Sequence, residues 1–325
     1  MGKAKILHTA RYVGAPWEIL KSVVPEGFYV ETLDELSHEC LVRQARDADY
    51  LLVSGRLSID EDVLSAAKHL KMIQRTGVGT EMLDLEAIRR HGIPVYVNAG
   101  VNARSVAEHT MTLILACLKR LPQINGQTHS GVWKKQQQGV TTRELYGKTV
   151  GLVGMGNIGR TVASMLQPFG TNIIYTDVFR QGEDVEKWLR LTYYNSFESL
   201  LPDVDILSFH CPLTPENTEM LNRNSLAKMK KGAIVVNTAR GKLISPDALF
   251  DALQSGRIAS AALDTHYEEP IKEGYRLAKL ENVILTPHIG GLSFEAFQSM
   301  MIAAVENISS FEKGLLDEIK LKKLL

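Results

Sequence analysis

The chain has 325 residues, more than one hydrophobic core ordinarily supports, so two domains are expected. Lysine plus arginine and aspartate plus glutamate balance at 37 each, which leaves no basic field for nucleic acid or an anionic membrane and points to a small-molecule partner. Three widely spaced cysteines, Cys40, Cys117 and Cys211, argue against a disulfide framework and against a zinc site, so no metal and a reducing compartment are expected. Lys3 and Lys5 precede an apolar run that His8, Arg11 and Glu18 interrupt, a poor signal peptide, and no run approaches the length of a membrane span. A soluble, cytoplasmic protein is the expectation.

From residue 4 to residue 98, short apolar runs recur: Lys5-Ile6-Leu7, Phe28-Tyr29-Val30, Tyr50-Leu51-Leu52-Val53, Met72-Ile73 and Ile93-Pro94-Val95-Tyr96-Val97. Segments with helical spacing lie between them, which predicts a small parallel sheet covered on both faces. The turn Thr76-Gly77-Val78-Gly79-Thr80 is expected to end one strand and open a helix, either as a plain connection or as a set of backbone N–H groups for an anion. Arg104 to Leu121 has no proline or glycine before its end and is apolar on more than one side, so a long buried helix is predicted there, crossing between the two halves. Residues 122–147 are more polar, with Trp133 among lysines and glutamines, and read as an exposed excursion.

The run Thr149-Val150-Gly151-Leu152-Val153-Gly154-Met155-Gly156-Asn157-Ile158-Gly159 is a strand entering a glycine-rich turn and then an amphipathic helix. Gly154 can make the tight turn, Gly156 lets backbone approach a pyrophosphate, and Gly159 lets the helix lie against the strand. The helix N-terminus then favours the phosphates through its unpaired N–H groups. A second strand, Asn172 to Asp177, ends in an acid 21 residues past Gly156, where a ribose hydroxyl is bound in dinucleotide folds. Further strands are predicted at Asp205–Phe209, Ala233–Asn237, Ser260–Asp264 and Val283–Thr286, six in all, as in a doubly wound dinucleotide fold. A last helix is predicted over 293–312, returning to cap the first domain.

Ligands of such folds lie beyond the carboxyl ends of the strands. Those ends read His210-Cys211-Pro212, Thr238-Ala239-Arg240-Gly241, Asp264-Thr265-His266 and Pro287-His288-Ile289-Gly290-Gly291. Arg240, Glu269 and His288 suit redox chemistry on a 2-oxo or 2-hydroxy acid. Hydride moves between a nicotinamide and the carbonyl carbon while a proton reaches or leaves the oxygen, a task for a histidine. A carboxylate stabilises imidazolium, and an arginine fork can hold a substrate carboxylate and polarise its carbonyl.

With these motifs in order, the chain resembles the D-isomer-specific 2-hydroxyacid dehydrogenase family over nearly its whole length. The matching segments are Gly154 to Gly159 with Asp177, Val236-Asn237-Thr238-Ala239-Arg240-Gly241, Ala262-Leu263-Asp264 to Glu269-Pro270, Thr286 to Gly291, and Asn102 to His109. The resemblance implies two doubly wound parallel-sheet α/β domains, a Rossmann NAD-binding domain at 101–290 inserted into a smaller flavodoxin-like substrate domain at 1–100 plus 291–325, with closure over a cleft and a homodimer. It implies Arg240 on the substrate carboxylate and carbonyl, His288 as acid/base, Glu269 as its tuner, and backbone groups of Val78 and Gly79 on the carboxylate. It places Gly154, Gly156, Asn157, Ile158, Gly159, Asp177, Cys211, Pro212, Thr238, Ala239, Asp264, His288 and Gly290 around the cofactor.

Departures bear on the substrate. Similar phosphoglycerate dehydrogenases carry an Arg-Ser pair where this chain has Ser54-Gly55, with Arg56 close by, and formate dehydrogenases have glutamine where Glu269 stands. Thr265-His266 replaces the commoner Val-Phe, a change that the sequence alone does not explain. The expected activity is NAD-dependent hydride transfer to or from C2 of a small D-2-hydroxy or 2-oxo acid, with glyoxylate and hydroxypyruvate as first candidates. The alternative is a corepressor-like NAD-gated binding protein with little turnover. Asp177 predicts NAD over NADP, with Arg180 near enough to soften that preference.

Overall fold

The computed structural model describes residues 2–55, 57–315 and 322–323. Arg56, noted beside the Ser54-Gly55 pair, lies outside the described residues. The chain divides into two compact units, Met1–Asn102 with Phe294–Leu325, and Ala103–Ser293.

In the smaller unit the apolar runs become strands β1 (Ala4–His8), β2 (Phe28–Thr32), β3 (Tyr50–Val53), β4 (Met72–Arg75) and β5 (Val95–Val97). They pair in parallel in the order β5-β4-β3-β1-β2, the flavodoxin-like winding. Successive side chains alternate between faces, and both faces are covered. Leu7, Leu51, Val53, Ile73 and Val95 enter one core, while Ile6, Tyr50, Leu52, Met72 and Tyr96 enter the other. That second face is covered by the helix Phe294–Glu312 through Met300, Met301, Ala304, Val305 and Ile308, as expected of the 293–312 segment. The turn after β4 differs from expectation, since the next helix, Leu85–Arg90, begins only after an irregular loop and is capped by Asp84.

The larger unit contains β6 (Thr149–Val153), β7 (Asn172–Thr176), β8 (Leu191–Tyr193), β9 (Ile206–Phe209), β10 (Ala233–Asn237), β11 (Ile258–Leu263) and β12 (Val283–Leu285). All pair in parallel in the order β12-β11-β10-β9-β6-β7-β8, a dinucleotide-binding order extended by one strand at the β12 edge. Six strands were expected, and the one not foreseen is β8, a three-residue edge strand whose Leu-Thr-Tyr carries too short an apolar pattern to announce itself. A two-residue strand β13 (Lys322–Lys323) adds antiparallel to β5 in the smaller unit.

The helix Ala103–Lys119 is long and buried along Val106, Ala107, Thr110, Met111, Leu113, Ile114 and Cys117, and it packs with Leu152, Tyr175 and Val236. Residues 121–139 form two helices, Leu121–His129 and Lys135–Gly139, with no buried residue in either. Among the described residues, no helix is long and apolar enough to cross a membrane, and no cluster of potential ligands could hold a metal ion.

Candidate active site

At the end of β6 the chain turns at Gly154, whose φ of +100° lies in the left-handed region, and a side chain there would strike the His210 carbonyl and the Cys211 N–H at 2.7–2.8 Å. Gly156 is the N-cap of the helix Asn157–Leu166; a Cβ there would meet nothing within 4 Å among the described residues, and no side chain caps the helix. A Cβ on Gly159 would lie 2.2 Å from the Gly154 carbonyl oxygen, which is why the helix can sit directly on the turn. Asp177 follows β7, and its carboxylate accepts hydrogen bonds from the Met155 N–H at 2.6 Å and the Phe179 N–H at 3.0 Å. The acid is therefore fixed against the glycine turn. Arg180 is held by Glu186 through two 2.9 Å contacts, so its guanidinium is committed to that acid.

Cys211 and Pro212 follow β9, with the Cys211 N–H against Gly154, and burial pushes the Cys211 thiol up to about 11, so it is not a thiolate near neutrality. After β10 the Asn237 side chain closes the next turn, accepting from the Ala239 N–H at 3.0 Å and donating to the Arg240 carbonyl at 2.8 Å. Thr238 is buried and shares a 2.9 Å hydrogen bond with Thr110 of the long helix. Gly241 abuts the His266–Tyr267 peptide so closely that a Cβ would lie 2.0 Å from the His266 carbonyl, and this packs the Arg240 turn onto the loop carrying Glu269.

Asp264, at the end of β11, is buried and accepts from the Thr286 hydroxyl at 2.6 Å and the N–H groups of Ile289 and Gly290 at 2.9 and 2.8 Å. Desolvation alone would raise its carboxyl, but His109 and these donors outweigh burial and bring it down to about 2. The loop beyond β12 is thus tied down on both sides of His288. His288 itself has a φ of +58°, a conformation that few non-glycine residues adopt, and its N–H meets the carbonyls of Asp264 at 2.8 Å and Thr286 at 3.0 Å. Its Nδ1 lies 2.8 Å from Glu269 Oε2, while Glu269 Oε1 accepts from the His266 N–H at 2.9 Å. The His288 side chain remains 46% exposed and the Glu269 side chain 21%, so the imidazole can reach a ligand while its partner is held.

The residues singled out there from sequence thus lie on the turns and loops at the carboxyl ends of the larger unit's strands, with Glu269 and His288 in direct contact. Val78 and Gly79 lie after β4 in the smaller unit, in a turn where Arg75 Nε donates to the Gly79 carbonyl at 2.7 Å. Sequence reasoning did not single out His109, whose Nε2 is 3.1 Å from Thr286 Oγ1 and 3.4 Å from Asp264 Oδ1, or Ser105, whose hydroxyl donates to the Gly290 carbonyl at 2.8 Å. Both belong to the Asn102 to His109 segment already noted for its resemblance, which was the available signal.

Residues 111–290 match the model of the D-isomer specific 2-hydroxyacid dehydrogenase, NAD binding domain. A glyoxylate reductase of Thermofilum pendens is 40% identical over 280 residues, covering 86% of this chain and 82% of that protein. The chain belongs to the D-isomer specific 2-hydroxyacid dehydrogenase family. It is an NAD-dependent oxidoreductase of that family, and NAD is its cofactor. A hydroxypyruvate reductase of Thermotoga maritima is 37% identical, covering 85% of this chain and 89% of that one. A D-3-phosphoglycerate dehydrogenase of Archaeoglobus fulgidus is 35% identical over 89% of this chain but only 54% of its own length. Among solved structures, the TT0316 protein of Thermus thermophilus superposes with a TM-score of 0.84 at 34% identity, covering 95% of this chain and 97% of that one. The glycine cradle, the open helix N-terminus and the anchored Asp177 fit a dinucleotide.

Proposed function

We propose that the protein is a reductase of small, unphosphorylated 2-oxo acids, with glyoxylate or hydroxypyruvate as substrate and the D-2-hydroxy acid as product where C2 is chiral. The observation that carries this reading is the 2.8 Å pairing of Glu269 with His288 at the carboxyl ends of neighbouring strands in the NAD-binding domain. The names of the Thermofilum and Thermotoga relatives support the choice of acid.

NADH, when bound, supplies the hydride that reaches C2. His288 holds the proton: its Nδ1–H is engaged by Glu269, which leaves Nε2 to donate to the substrate oxygen as the carbonyl is reduced. Arg240, presented by the closed turn 237–240, holds the substrate carboxylate and polarises the carbonyl. Val78 and Gly79 of the smaller unit are proposed, on the family resemblance alone, to offer backbone N–H groups to a substrate carboxylate. Around the cofactor, Gly154, Gly156, Asn157, Ile158 and Gly159 hold the pyrophosphate and Asp177 the ribose, with Cys211, Pro212, Thr238, Ala239, Asp264 and Gly290 along the remainder.

A phosphorylated substrate is disfavoured because Ser54 offers no cation and its hydroxyl lies 2.6 Å from the buried His8 Nε2. NAD is preferred over NADP because Asp177 repels a 2′-phosphate and Arg180, committed to Glu186, does little to offset it. The test is NADH oxidation with glyoxylate, hydroxypyruvate, pyruvate, branched 2-oxo acids and phosphohydroxypyruvate, repeated with NADPH. Glyoxylate or hydroxypyruvate should lead with NADH; silence across the panel with NADH still bound, or equal efficiency with NADPH, contradicts the corresponding part.

The chain is proposed to act in the cytoplasm as a homodimer. The exposed segment after the long helix carries Trp133, Val140 and Tyr146 at 81, 74 and 75% exposure, more apolar surface than one short segment ordinarily shows to water. Light scattering should give twice the chain mass and Trp133→Asp should lower it; a wild-type monomer refutes the proposal.

A further inference from the structure

The identity of residue 266, unexplained by sequence, has a physical account in the site. His266 is 8% exposed, and its Nε2 lies 2.8 Å from the backbone carbonyl of Thr286. A carbonyl only accepts, so Nε2 carries the proton. Nδ1 is buried with no hydrogen-bond partner among the described residues, so Nε2 is the one ring nitrogen with a hydrogen-bond partner there. The ring is further held edge-on against Tyr275, with centroids 6.0 Å apart.

This one residue bonds Glu269 directly and reaches His288 through Thr286. Its main-chain N–H holds Glu269 Oε1, and its side chain holds the Thr286 carbonyl, which also receives the His288 N–H at 3.0 Å. The connections close a ring that runs from the His266 backbone through Glu269, His288 and Thr286 to the His266 imidazole. Phenylalanine at 266 would fill similar space and keep the main-chain donor, but would leave the Thr286 carbonyl without its imidazole partner. The backbone of His288 sits in left-handed space, where the surrounding contacts must hold it. We propose that the His266 side chain is a positioning residue that fixes the β12 loop against the Glu269 loop and so sets how well Glu269 stabilises protonated His288. The inference rests on reading that pair as the acid/base unit.

The test uses the full chain with His266→Phe, which removes the donor, and His266→Gln, whose amide N–H can replace Nε2–H. Two readouts are taken: the NMR pH titration of the His288 ring without cofactor, and kcat and KM for glyoxylate with NADH. In His266→Phe the His288 midpoint should fall by about half a unit to one unit and kcat by about threefold to tenfold, with KM for NADH within about twofold of wild type. His266→Gln should restore both to within about twofold of wild type. His266→Leu serves in its place should the Phe variant fail to fold. An unchanged His288 midpoint in a folded variant lacking the donor, or equal losses in the Phe and Gln variants, overturns the proposal. Absence of wild-type turnover would instead overturn the functional reading, while the titration still decides the role of His266.

Discussion

The candidate site centres on a histidine, His288, kept accessible in an unusual backbone conformation. The Thr286 hydroxyl and the Ile289 and Gly290 N–H groups all point at the Asp264 carboxylate, so the loop on either side of His288 is anchored while the imidazole stays outside. Glu269 Oε2 lies 2.8 Å from His288 Nδ1, and a carboxylate in that position favours the charged form of an imidazole. Glu269→Gln removes that charge but keeps a polar side chain of the same length. The acid limb of the pH–rate profile for oxo-acid reduction should move to lower pH, since the variant's imidazolium gives up its proton sooner. An unchanged profile would make Glu269 a structural residue. Arg240, Glu269 and His288 were legible in the sequence because each follows an apolar strand in consecutive order. His109 and the side-chain role of His266 were not, because their value lies in hydrogen bonds to Thr286, 177 and 20 residues away along the chain.

At the scale of elements, parallel strands buried on both faces read as continuous apolar runs, and for that reason nearly all of them could be placed from sequence. The exceptions have local causes. β8 is three residues long at a sheet edge, and the Gly77–Gly79 turn leads into a loop because the next N-cap, Asp84, comes several residues later. The strand–turn–helix around Gly154 was legible because its spacing encodes a packing requirement that the structure makes explicit. Gly159→Ala tests that requirement. The new methyl would lie 2.2 Å from the Gly154 carbonyl oxygen, a backbone atom that cannot swing aside. The helix must shift off the turn, at a cost of about 1–3 kcal/mol. Both the thermal midpoint and the affinity for NADH should fall, and wild-type values of both would show that the contact is not needed.

For the whole molecule, two doubly wound sheets explain how 325 residues bury enough surface to hold polar groups inside. One of these groups, His8, is fully buried at the end of β1, and burial outweighs a bond to the Ala10 backbone to bring its imidazole down to about 4. Its folded value lies below its unfolded value of about 6.5, so the neutral form's contribution is complete above that pH and is lost as pH falls toward about 4. The slope is about 1.4 kcal/mol per pH unit within this window. His8→Gln should therefore flatten the loss of unfolding free energy between about pH 6 and about pH 5 by one proton's worth, as read from urea titrations. An identical slope in wild type and variant would contradict the assignment.

The proposed activity is reduction of a small 2-oxo acid by this NAD-dependent fold, with His288 as proton donor. Its most direct test is NADH-dependent reduction of glyoxylate and hydroxypyruvate by wild type and His288→Ala, side by side with NADH binding measured for both. Wild type should turn over, and His288→Ala should bind NADH normally while kcat falls by about 10²–10⁴-fold. Near-normal turnover in the variant would contradict the assignment of His288, and no turnover by wild type would contradict the proposed activity.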